Sequence, residues 1–166
     1  MTAKPAPASK ARPAAGAAED DSPVNRYLAA YVMGIANRLT NGASNHYRKH
    51  FNLGMSEWRA MMAIGGTSES IVRQVAEMAD LDHAAASKSV RVLEQRGLVT
   101  IEQTTRRGRA AIVRLTPEGT EMHKKLRDAA RRRQRRLVSA FSAEELEQLW
   151  SLLRRLRAQV PYMNEE

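Results

Sequence analysis

The chain has 166 residues, with 27 Lys or Arg against 18 Asp or Glu, a net charge of +9 and no cysteine. That length suits one domain with a sizeable core, and the basic balance suits a polyanionic partner, either nucleic acid or an anionic membrane surface. The lack of cysteine excludes disulfides, cysteine-based zinc sites, thiol catalysis and thiol redox sensing, and no apolar stretch approaches the roughly 18 residues of a membrane span.

Residues 1–22 place Pro5, Pro7 and Pro13 in an alanine-rich background and carry no large apolar side chain after Met1. Such a segment buries too little apolar area to offset its ordering entropy, so a disordered tail is expected. Its basic residues Lys4, Lys10 and Arg12 are not followed by the apolar core of a signal peptide. Residues 23–166 are expected to fold.

Ser22-Pro23 reads as an N-cap followed by a first helical proline. Tyr27, Tyr31, Ile35 and Leu39 then recur at i, i+4 spacing, which predicts a long helix to about His50. A second helix is expected from Ser56 to the Gly65-Gly66 break. Ser70–Ala79 predicts a short helix with Ile71, Val75 and Met78 on one face. After Asp80-Leu81-Asp82 comes another helix, His83–Arg96, stopped by Gly97. Two helices joined by so tight a turn form a helix-turn-helix, the device that presents a helix to the DNA major groove.

Asp82 is placed to cap the second of these helices, and Ala86, Val90 and Leu93 make its buried line. His83, Ser87, Lys88 and Arg91 remain outward. Lys88 and Arg91 suit guanine acceptor edges or phosphates, and Ser87 suits either. Alone, each reads as a solvated side chain. The segment that follows changes the balance. Val99 and Ile101, then Ala111, Val113 and Leu115, alternate like two strands, with Arg106, Arg107 and Arg109 between them and Gly108 at the tip. A hairpin with a basic tip is a wing, and its arginines suit the negative potential of a narrow minor groove. Fold class follows: mainly α, with a small β-hairpin wing, a winged helix-turn-helix directed at double-stranded DNA.

Thr116-Pro117 opens a long helix with Met122, Leu126, Ala130, Leu137 and Phe141 as its apolar line. Lys124–Arg136 holds eight Lys or Arg and one acid, Asp128, and most of these cations are expected to be solvated. Ser142-Ala143-Glu144-Glu145 is a capping box that opens a last helix. Leu146, Leu149, Trp150, Leu152, Leu153 and Leu156 give that helix a stripe wider than a surface helix needs. A second copy would bury it, and a two-fold homodimer would present two recognition helices to a pseudo-palindromic operator.

The run Leu81–Val99, the closing Leu115-Thr116-Pro117-Glu118-Gly119 and Glu57-Trp58-Arg59 together resemble the multiple-antibiotic-resistance regulator (MarR) family over about residues 24–160. The resemblance implies a homodimer of winged-helix subunits in a bacterial or archaeal cytoplasm. It implies a DNA-binding lobe at about 56–115 and dimerisation helices at about 23–50 and 117–160. It further implies repression of neighbouring genes until a small phenolic or aromatic-acid effector enters a cavity lined by the first long helix and the Trp58 helix. There Tyr31, Arg38, His46, Trp58 and Arg59 would supply an aromatic wall and a carboxylate clamp. The family wing carries Asp-x-Arg; Arg109 matches the Arg, but Arg107 stands where the Asp would be.

Other classes are weakly supported. His46-x-x-x-His50 presents two imidazoles at i, i+4 without a third ligand, so no metal or other cofactor is expected. No phosphate loop, dinucleotide fingerprint or nucleophile elbow occurs, and no enzyme activity is expected. The competing reading is a winged-helix activator or architectural DNA binder without an effector.

Overall fold

The computed structural model describes residues 23–102 and 111–165. After a 3₁₀ turn, Pro23–Arg26, the elements are α1 (Leu28–Phe51), α2 (Met55–Ile64), β1 (Ser70–Ile71), α3 (Val72–Ala79), α4 (His83–Gln95), β2 (Val99–Glu102), β3 (Ile112–Leu115), α5 (Pro117–Leu137) and α6 (Ala143–Met163). The chain divides into two compact units. One contains Gly34–Leu137, and the other contains the segments before and after it.

The larger unit holds the core. Leu53, Met61, Ile64, Val75, Val90, Leu93, Val113 and Leu126 are all fully buried. They come from α2, α3, α4, α5, β3 and the α1–α2 loop, so each helix gives one face to a shared interior. The expected line Ala86, Val90 and Leu93 is buried. The expected face of α3 is displaced: Val75, Ala76 and Ala79 are buried, whereas Met78 is 48% exposed. Alanines let α3 approach its neighbours closely, which moves Met78 to the edge.

A second departure concerns Ser70 and Ile71. Their apolar spacing joins them to a helix, yet they form β1, with Ser70 opposite Val113 and Ile71 opposite Ile112. The helix starts only at Val72, where the Ile71 N–H donates to Gln74 Oε1 at 3.0 Å. The pairing partner lies over forty residues away, beyond the reach of local periodicity. The three strands run antiparallel in the order β1-β3-β2, and Ile101 faces Val113 in the expected hairpin stem.

Pro23 opens the 3₁₀ turn rather than α1, which begins at Leu28. In the second unit, α6 has its capping box: the Ser142 N–H donates to Glu145 Oε2, and the Glu145 N–H donates to Ser142 Oγ. Tyr27, Leu28, Tyr31 and Met33, and on α6 Leu149, Trp150, Leu152, Leu153 and Val160, are exposed in the single chain. At the C-terminal end of α5, Leu137 is exposed, and Phe141 lies beyond the helix.

Candidate functional site

Three helices hold α4 in place. Its first turn is closed by Asp82, whose Oδ1 accepts the Ala85 N–H at 2.7 Å. Its C-terminal cap, Arg96, donates Nη1 to the Asn52 carbonyl at 2.6 Å and Nη2 to the Phe51 carbonyl at 3.2 Å. Those are carbonyls that the end of α1 leaves without helical partners. The turn before α4 is tied to α2: Arg59 Nη1 donates to the Asp80 carbonyl at 3.1 Å, and Nη2 lies 3.9 Å from the Asp80 carboxylate. Asn52 and Asp80 both have left-handed backbone, with φ of 53° and 52°. In each, the carbonyl is held by an arginine of another helix.

With the Val90 side buried, α4 presents His83, Lys88 and Arg91 to solvent, with Ser87 half-buried among them. His83, Ser87 and Arg91 lie in one row at i, i+4, i+8, and Lys88 flanks it. Ala84, also exposed, adds little bulk to that face. Among the described residues, Lys88 and Arg91 form no ion pair. The face therefore offers two cations, a hydroxyl and an imidazole to an incoming surface.

The wing stem is fixed electrostatically. Arg114 on β3 donates Nη1 to Glu102 on β2 at 2.6 Å and Nη2 to Glu69, just before β1, at 2.8 Å. One guanidinium thus spans the small sheet, a use its planar fork favours. Arg106, Arg107 and Arg109 lie outside the described residues.

A cavity of about 950 Å³ opens within the larger unit, lined by α1, α2 and α5. Tyr47 and Trp58 stack on its wall with ring centroids 4.8 Å apart and planes 15° apart. Of the residues expected at an effector, Trp58 and Arg59 line it; Tyr31, Arg38 and His46 are not in the lining. The sequence reading missed Tyr47 and the arginines of α5, Arg127, Arg131, Arg133, Arg135 and Arg136. Tyr47 follows His46 at the same end of α1, but only the fold shows that it stacks on Trp58. Burial, then His50, then Arg133, Arg132 and Arg136 hold His46 below the ordinary histidine range. Burial raises the Tyr47 phenol above its usual value.

The His46 and His50 rings are 4.6 Å apart. Among the described residues, no group of three or more His, Cys, Asp or Glu is placed to hold a metal ion. No helix among them is long and apolar enough to cross a membrane.

A helix-turn-helix backed by a three-stranded sheet, with a basic outward face, is the winged-helix arrangement, a fold class that serves DNA binding. Comparison agrees. Residues 51–110 match the model of the MarR family. A MarR/EmrR family transcriptional regulator from Acinetobacter sp. ADP1 is 29% identical, covers 84% of this chain and 98% of its own, and superposes with a TM-score of 0.76. A probable transcriptional regulator from Pseudomonas aeruginosa is 27% identical over 74% of this chain and 95% of its own, with a TM-score of 0.62. The PcaV transcriptional regulator from Streptomyces coelicolor, solved with its natural ligand, shares the fold at 23% identity, 81% and 96% coverage and a TM-score of 0.68. No curated protein sequence matches. Over residues 51–110 the chain is thus similar to the MarR family, and it shares the winged-helix fold of these transcriptional regulators.

Proposed function

We propose that the protein is a homodimeric transcriptional repressor that grips a pseudo-palindromic operator and leaves it when a small aromatic effector binds. The observation that carries this reading is the exposed row His83, Ser87 and Arg91 with Lys88 beside it, on a helix pinned by Asp82, Arg96 and the turn at Asp80. That row enters the major groove. Arg106, Arg107 and Arg109 reach the adjacent minor groove, where guanidinium is favoured. Residues of about 56–115 form the DNA-binding lobe. Helices within about 23–50 and 117–160 carry the dimer contact, consistent with the apolar side chains they leave in water. The protein acts in the cytoplasm of a bacterium or archaeon.

Effector binding is assigned to the cavity at Trp58 and Arg59. The ligand held by the similarly folded PcaV supports a ligand-responsive mechanism for this architecture. An effector shifts DNA affinity only if it binds the DNA-free conformation more tightly.

The test is retardation of the protein's own promoter fragment during titration with aromatic acids. Release by one of them supports the repressor reading. Sequence-indifferent retardation that no compound reverses supports an architectural or effector-independent binder. In the same assay Arg91→Ala should weaken specific binding far more than nonspecific binding; equal losses would remove base readout from Arg91.

A further inference from the structure

The α1–α2–α5 cavity is unusual in its charge. Six arginines line it, Arg59, Arg127, Arg131, Arg133, Arg135 and Arg136, and no aspartate or glutamate does among the described residues. Arg59 and Arg131 have carboxylates at 3.9 and 4.0 Å, Asp80 and Asp128. Among the described residues, Arg127, Arg133 and Arg135 have no carboxylate within ion-pair reach. Like charges at this density repel. One carboxylate would answer one of Arg127, Arg133 and Arg135 and leave the other two.

The opposite wall is aromatic. Tyr47 stacks on Trp58, and Trp58 Nε1 is buried without a hydrogen-bond partner among the described residues. Size adds a third constraint: about 950 Å³ is near the upper end of the roughly 300–1,000 Å³ typical of ligand sites. A single unsubstituted ring leaves most of that volume as water.

We propose that this cavity takes an aromatic compound bearing at least two negative charges, its ring against Tyr47 and Trp58 and its anionic groups on the arginines of α5. Benzene dicarboxylates and aryl phosphates share this chemistry. Guanidinium groups fit both kinds of anion bidentately. The inference rests on the effector-responsive reading above and narrows it from any aromatic acid to an aromatic dianion.

Calorimetric titration of the full chain at fixed ionic strength tests it, with phenol, benzoate, benzene-1,2-dicarboxylate, phenyl phosphate and inorganic phosphate as probes. Affinity should rise at least tenfold from phenol to benzoate, and at least tenfold again to the dicarboxylate or phenyl phosphate. Inorganic phosphate should bind at least tenfold more weakly than phenyl phosphate. Arg133→Gln should erase most of the second step while leaving the first. Trp58→Phe should weaken the dianions at least threefold with the Tm recorded alongside. Equal affinity for phenol, benzoate and the dicarboxylate overturns the proposal, as does phosphate matching phenyl phosphate. These titrations use the unmodified protein, so a variant that fails to fold cannot decide the matter. Retardation of the promoter fragment separates the two readings. Release by neutral phenols alone overturns the dianion and keeps the regulator, whereas absence of specific retardation removes the regulator itself.

Discussion

Asp82 has the most local task. Its carboxylate closes the first turn of α4, so Asp82→Ala should cost about 1 kcal/mol and lower the Tm by roughly 2–4 °C. Thermal denaturation reads the Tm shift, and an unchanged Tm would mean the cap is idle. This residue was legible in the sequence because capping is a short-range rule. His123 was not singled out. Its ring packs where Gly65 has no side chain, and any Cβ at Gly65 would collide with it. Burial first, then Arg127, lowers its pKa below the ordinary 6.5. A histidine with a lowered native pKa takes up its proton first in the unfolded chain. Stability is therefore undiminished above about pH 6.5 and falls as the pH drops below it. We expect the Tm to decline between pH 7 and 5, and His123→Gln to flatten that decline. Identical slopes in both proteins would assign the acid sensitivity elsewhere.

At the level of elements, the signature Leu115-Thr116-Pro117-Glu118-Gly119 becomes intelligible as a joint. Leu115 ends β3, and Thr116 Oγ1 accepts the Gly119 N–H at 2.9 Å while donating to the Gly97 carbonyl at 2.7 Å. Pro117 takes the first helical position, where a missing N–H is harmless. A methyl group on Gly119 would strike the carbonyl oxygen of Leu98. Gly119→Ala should therefore cost about 1–3 kcal/mol by overpacking, measurable as a loss of chemical stability; a neutral result would show that α5 can slide. The helices, the wing stem and α4's two faces were readable because each is written in local periodicity. The strand β1 was not, since two residues carry no period and their meaning depends on β3. The cavity was half readable: Trp58 and Arg59 stood out as residue types, but which α5 arginines join them depends on helix packing.

For the molecule as a whole, charge and apolar exposure decide behaviour. A net charge of +9 and a basic reading face predict strongly salt-dependent DNA affinity. The loss should be on the order of 10³-fold between about 50 and 200 mM salt if six or more phosphates are contacted. A flat response would remove phosphate neutralisation as the source of affinity. Exposed side chains on α6, such as Leu149, Trp150, Leu152 and Leu153, are too many to leave in water. Sedimentation should accordingly give twice the chain mass of 18.5 kDa at micromolar concentration. A single-chain mass would mean that those side chains find cover within one subunit.

Asn52 and Asp80 both face solvent, and by accessibility alone each would be judged free to drift. Their left-handed backbone denies this. Glycine should be accepted at either position, whereas valine, isoleucine and threonine should be rejected, because a branched β-carbon cannot occupy that region without severe crowding. A saturation library of this chain would thus find two of its narrowest permissive windows on the wet surface rather than in the interior.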